Sequence, residues 1–161
     1  MNNMAIGIEE VLEKNTLYRD YLFCRGYLVT DNNNLNFNIY PFYGNWNVMK
    51  VEKYQIITHN KQNCYKYKHN NITMVLIGHA YDPFEMISSE YEILVKLCES
   101  YNDGVEEFHQ KLSDVTGCFA LFIIQSGKLH AYQDACGMKT IYYGKVNSNL
   151  YLTSHCQLVA D

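Results

Sequence analysis

The sequence predicts an α+β domain built in layers, with helices stacked against two packed antiparallel sheets. Strand-like segments lie on both sides of a pair of helical segments. One of them, "GCFALFIIQ" at 117–125, is a nearly continuous apolar run, the pattern of a strand buried on both faces. No internal repeat or low-complexity linker divides the chain, and 161 residues suit a single domain with a substantial core.

The elements follow in order. Residues 4–14 read as a short helix, because Ile8, Val11 and Leu12 fall on one face with acids opposite. Residues 1–20 are thus expected as an N-terminal helical extension of a domain covering 1–161. "YLFCRGYLV" (21–29) reads as a strand, rich in aromatic and branched residues. "TDNNN" ends it, and "LNFNIYPF" returns as the second arm of a hairpin until Pro41 stops pairing. "GNWN" reads as loop. "KYQIITH", "NCYKYKH" and "ITMVLIGHA" then suggest a three-stranded meander, with Cys64, Lys66 and Lys68 on one face of the middle strand and Tyr65 and Tyr67 on the other. Lys66 and Lys68 read as a solvated strand edge.

Ser89 and Glu92 have the spacing of a capping box, in which each side chain satisfies a free amide of the first helical turn. Ile87, Tyr91, Leu94, Leu97, Cys98 and Tyr101 follow as one apolar stripe. Asn102-Asp103-Gly104 breaks that helix, and Val105, Phe108 and Leu112 mark a shorter second one. Strands resume at 117, turn at Ser126-Gly127 and return through "KLHAYQD", "TIYYGKV" and "LYLTSH".

Composition excludes several functions. The net charge of −4 leaves no broad basic face for nucleic acid. The longest apolar run, "CFALFII", has seven residues, against the ~20 that a membrane helix needs. The acidic N-terminal segment is not a secretory signal, so a cytoplasmic location and reduced thiols are expected for the six cysteines. No two of them have C-x-x-C spacing, and His59, Cys64 and His69 fit no zinc pattern, so neither a metal nor a cofactor is expected. No G-x-x-x-x-G-K-[ST] phosphate loop occurs.

From Leu112 to Ala160 one pattern runs unbroken. It comprises Gly117, Phe119 and Ala120 in the apolar strand, then a hairpin, then Asp134, Gly137, Lys139, Tyr142 and Tyr143, and finally Ser154 after a further strand. This resembles the end of the class II glutamine amidotransferase domain of asparagine synthetases, with Gln133 in place of an Arg and Thr140 in place of a Pro. "LIGHAYDPF" resembles the family's Asn-Gly-Glu strand end, and "SSEYEILVKLCES" its first helix. The resemblance implies the four-layer αββα Ntn-hydrolase sandwich, two antiparallel sheets between helix layers. It also implies release of ammonia from glutamine by an N-terminal Cys whose own amine is the base. An Asn side chain and a Gly amide would stabilise the oxyanion, and an Arg and an Asp would hold the substrate.

The residues meet this chemistry only in part. Residue 2 is Asn, and residues 1–15 contain no Cys. Aligning the glycine of the family's first strand with Gly26 puts the nucleophile at Leu22. A register slip of two puts it at Cys24, which on a strand would share a face with Leu22. Cys24 is the candidate catalytic residue, and it requires cleavage of the Phe23–Cys24 bond. Otherwise it is a small core residue. Gly78 matches the oxyanion glycine, but Ile77 replaces the Asn. The substrate Arg falls near Tyr54, which has no bidentate donor. Glu90 matches the substrate Asp, and also reads as a helix N-terminal acid. Gly78 and Glu90 are therefore the candidate substrate-binding residues, with His79 as a candidate base or a strand-end histidine. Asp134 is expected to bond turn amides, Gly137 to supply a permissive backbone, and Lys139 to pair with an acid.

Three functions follow as expectations. The first is a degenerate glutamine amidotransferase-like domain without glutaminase activity, partnering an ATP-dependent synthetase (ATP-pyrophosphatase) domain or subunit of the asparagine-synthetase type. The second is an active glutaminase using Cys24 after removal of residues 1–23, and the third a binding module for another small amide or amino acid. No Ser-Gly-Gly-x-Asp-Ser loop occurs, so ATP chemistry would belong to another module. Glutamine and a second copy, in a homodimer, complete the expected partners.

Overall fold

The computed structural model describes residues 10, 13–35 and 46–160. All of the hairpin arm expected at 35–42 except Leu35, and most of the expected helix at 4–14, lie outside these residues.

Among the described residues, nine strands and three helices follow a 3-10 helix at Thr16–Asp20. The strands are β1 (Tyr27–Thr30), β2 (Trp46–Val51), β3 (Tyr54–His59), β4 (Cys64–His69), β5 (Ile72–Tyr81), β6 (Thr116–Gln125), β7 (Lys128–Gln133), β8 (Tyr142–Val146) and β9 (Asn149–Thr153). The helices are α1 (Glu90–Asp103) and α2 (Val105–Asp114), between β5 and β6, and the four-residue α3 (Gln157–Ala160). They form an α+β sandwich. A five-stranded sheet, in order β2-β3-β1-β9-β8, faces a four-stranded sheet, in order β4-β5-β6-β7, and every pairing is antiparallel.

Period-two alternation in β5 and β6 builds both sides of the core. Met74, Leu76, Phe119, Leu121 and Ile123 face α1 and α2, meeting Leu94, Leu97, Cys98 and Phe108. Val75, Ile77, Ala120, Phe122 and Ile124 face the other sheet, meeting Tyr27, Val29, Ile56 and Leu152. Both strands are central and covered on each face, which is why they read as apolar runs. Beyond the five-stranded sheet, Leu28 and Ile57 are covered by Leu35, Trp46, Tyr151 and Leu158, the last from α3. No helix among the described residues is long and apolar enough to cross a membrane.

The local signals for α1 hold: Ser89 is its N-cap, and its hydroxyl accepts from the Glu92 amide. The β6–β7 and β8–β9 turns have positive φ at both central residues, Ser126-Gly127 and Asn147-Ser148, as tight two-residue hairpins require.

Three expectations are corrected. Residues 21–25 are turn, and β1 starts only at Tyr27. The Leu22 amide bonds back to Tyr18 O and the Cys24 amide to Tyr21 O, while Phe23 and Arg25 take φ of 49° and 58°. Leu22 and Cys24 therefore share no strand face. The expected meander is divided between sheets: β3 lies between β1 and β2, whereas β4 and β5 belong to the other sheet. All six residues of β3 are buried, which a central strand allows and the end of a meander does not. Finally, Trp46 and Asn47 are not loop, because they open β2 and pair with His59 and Thr58.

Candidate functional site

The start of β1, the ends of β3 and β9, and the Gly78–Cys118 crossing of β5 and β6 gather at one end of the sandwich. The His59 amide bonds Gly26 O, and the Ser154 amide bonds Tyr27 O. Two glycines bring β5 and β6 unusually close. A Cβ on Gly78 (φ 119°) would lie 2.1 Å from Cys118 O, and one on Gly117 (φ 139°) 2.2 Å from His79 O. Only glycine tolerates both the dihedral and the space.

A continuous hydrogen-bonded chain crosses this end. Lys139 Nζ donates to Arg25 O at 2.9 Å and to Gln62 Oε1. Gln62 Nε2 donates to Asn63 O at 2.8 Å. The Gly78 amide donates to the same Asn63 O at 3.0 Å. Asn63 Nδ2 lies 2.9 Å from His79 Nε2, and His79 Nδ1 lies 3.0 Å from Glu90 Oε1. In this geometry His79 can donate from Nδ1 to Glu90 and accept at Nε2 from Asn63. The structure thus brings Gly78, His79 and Glu90 together. Glu90 is the first residue of α1, and the pKa of the neighbouring Tyr65 hydroxyl is raised first by burial and then by this carboxylate.

Lys139 corrects an expectation: its bonded partners are oxygens of Arg25 and Gln62, not a carboxylate. Its Nζ also lies 5.8 Å from the centre of the buried Tyr27 ring. Burial lowers its pKa, an effect the Cys118 thiol opposes and Arg25 reinforces. Lys139 in turn adds to the burial that lowers the pKa of His155, whose Nδ1 lies 2.8 Å from Ser154 Oγ. His59 is fully buried with both ring nitrogens engaged, Nε2 on Asp20 O and Nδ1 on the Lys61 amide, and burial lowers its pKa.

Asp134 holds the corner that precedes Lys139. It is 3 % exposed, and its carboxylate accepts the amides of Cys136 (3.1 Å), Met138 (3.0 Å) and Lys139 (2.7 Å). Burial alone would raise its pKa, but the amides outweigh it and leave the pKa lowered. Gly137 takes φ 65° at this corner.

Other expected site residues lie elsewhere or in other roles. Cys24 is half-buried in the turn just before β1, and its neighbour Phe23 lies edge-on to His155, with ring centres 5.2 Å apart. Ile77 is fully buried between the sheets and offers no donor. Tyr54 starts β3, at the opposite end of the strand from His59, and its hydroxyl donates to Gly127 O. Five residues of extended strand put that roughly 16 Å from this site. Burial pushes the Cys64 thiol up to about 11. Gln62 and Asn63 were missed by the sequence reading: they lie in a polar inter-strand loop, and no spacing rule marks them.

Comparison with known proteins supplies one match. A family model described as a glutamine amidotransferase domain covers residues 53–161, about two thirds of the chain. No curated protein matches it. The matched segment runs from the turn before β3 to the end of the chain, so it contains Gly78, Glu90 and the Asp134 corner. The chain belongs to the glutamine amidotransferase domain family.

Proposed function

We propose that this domain keeps the frame of a class II glutamine amidotransferase without its glutaminase chemistry, and serves as structural or docking partner to an ATP-dependent, amide-forming synthetase domain of the asparagine-synthetase type. The observation that carries this concerns the oxyanion donors. The Gly78 amide is already bonded to Asn63 O, and Ile77 stands where the resemblance expects an asparagine. Loss of one such donor typically costs about 100- to 1000-fold in rate, and here both are unavailable. The position of Cys24 agrees. It lies inside a run of turns, with its amide bonded to Tyr21 O, and so has no free α-amine to act as base. The Asp134 corner and the Gly78–Gly117 crossing, which set the framework, are intact.

A second reading is a processed glutaminase with Cys24 as nucleophile, and Gly78 and Glu90 holding glutamine. It is favoured by the place of Cys24, two residues before Gly26 and beside Arg25, whose carbonyl accepts from Lys139. Intact mass together with ammonia release from glutamine separates the two. The proposal expects an uncleaved Phe23–Cys24 bond and ammonia no higher than in Cys24→Ala. Loss of residues 1–23 with ammonia release abolished by Cys24→Ala would establish the second reading instead.

A further inference from the structure

A second polar site lies at the opposite end of the sandwich. A cavity of about 220 Å³ opens between the β2–β3 turn of one sheet and the β4–β5 turn of the other. Lys66 and Lys68 enter from the second sheet, and Lys50 borders the cavity from the first, where it alternates with the inward-facing Met49 and Val51. Lys66 and Lys68 are two apart on β4 and so share the face turned toward the other sheet. None of the three lysines makes an ion pair among the described residues. The one acid in the lining, Glu52, directs Oε2 to the Gly127 amide at 2.6 Å.

Lysines on an edge strand have an ordinary use, since they blunt edge-to-edge pairing. Thr73 argues for more. It lines the cavity and is only 5 % exposed, yet its hydroxyl makes no hydrogen bond to the described residues. Although the residue as a whole is buried, this hydroxyl opens onto the cavity and is free to bond a ligand there. Here it faces a space flanked by Lys66 and Lys68, neither in an ion pair among the described residues, and by the carboxamides of Asn70 and Asn71. The Asn71 carboxamide accepts from Gln125 at its oxygen, which leaves its amide hydrogens to donate.

We propose that this cavity binds a tetrahedral dianion, either inorganic phosphate or the phosphate of a phosphomonoester. Two ammonium groups, a hydroxyl and carboxamides border the cavity, a set of donors that suits a tetrahedral anion. The planar fork of arginine, which matches carboxylates two-point, is absent from the lining. The site is independent of the glutamine reading, because Thr73 and Gly78 lie five residues apart on β5, roughly 16 Å.

The test is an amide chemical-shift titration of the full chain with sodium phosphate at fixed ionic strength. Glycerol 3-phosphate is the phosphomonoester probe, and sodium chloride and acetate are the controls. Saturable shifts at Asn70, Asn71 and Thr73 are expected with phosphate or glycerol 3-phosphate, and none with chloride or acetate. Lys66→Gln/Lys68→Gln should weaken binding roughly tenfold, allowing for screening. Thr73→Val, similar in shape but without the hydroxyl, should weaken it several-fold. Lys53→Gln, on the same turn but outside the lining, should leave affinity unchanged. Tighter binding of glycerol 3-phosphate assigns the site to phosphomonoesters, and tighter binding of inorganic phosphate to the free ion. Non-saturating shifts, or equal affinity in Lys66→Gln/Lys68→Gln, would overturn the proposal. The exposed lysine heads make that double variant a mild one for folding.

Discussion

Replacing Asp134 by Asn tests the physical account of the corner that carries the family pattern. The carboxylate accepts three backbone amides while 3 % exposed. Asparagine can keep its oxygen toward Cys136 and Met138, where Oδ1 now lies. Its amide group then faces the Lys139 N–H, which loses a charge-assisted bond of 2.7 Å and meets a second donor. A buried donor left without its charged partner costs about 1.5–3 kcal/mol, and loss of charge weakens the other two bonds as well. Destabilisation of about 3 kcal/mol is expected. Urea unfolding at pH 7, followed by circular dichroism, should show the midpoint lowered by about 1 M with an unchanged slope. The pKa of Asp134 is lowered in the folded state, so its contribution is fully present above the ordinary value of 3.8 and is lost as pH falls through the folded value. The gap between the two proteins should therefore hold constant from pH 7 to about 4.5 and close only in stronger acid. A midpoint shift below about 0.2 M at pH 7 would refute the assignment of these three bonds as the support of the corner.

Other expectations test the two glycine environments and the buried histidine. Gly78→Ala should cost about 3 kcal/mol or more, because its Cβ would meet the Cys118 carbonyl at 2.1 Å with φ at 119°. Gly127→Ala, at φ 75° with nothing within 4 Å of the added Cβ, should cost only about 1 kcal/mol. Equal midpoints for the two variants in urea would contradict the close β5–β6 approach. Burial lowers the pKa of His59, so the unfolded chain binds the proton more readily. Stability should be complete above pH 6.5 and fall as pH drops through the folded value, with a slope of at most about 1.4 kcal/mol per pH unit from this residue. Stability that is flat between about pH 7.5 and 5 would count against that burial.

The sequence by itself determined the layered class and the helix pair. It also determined the doubly buried β6, the two-residue hairpin at Ser126-Gly127 and the Asp134 corner. These are local or periodic signals: a cap, a stripe at helical spacing, a dipeptide suited to positive φ, and an apolar run. Tertiary structure decided what has no local period. "YLFCRGYLV" carries strand-like residues throughout, yet Phe23 and Arg25 adopt positive φ and hydrogen bonds reach back to Tyr18 and Tyr21, so only its last three residues are strand. β3 and β4 are neighbours in the chain but belong to different sheets, because β3 must be covered on both faces while β4 forms an edge. The site divides in the same way. Gly78 and Glu90 could be matched by pattern, and the fold joins them through His79. The rest of the network, from Lys139 through Gln62 and Asn63 to the Gly78 amide, joins residues up to 77 positions apart. A loop glutamine and asparagine show no spacing that would reveal such bonds. They form only once two sheets have packed and brought polar groups together away from water, where each must find a partner.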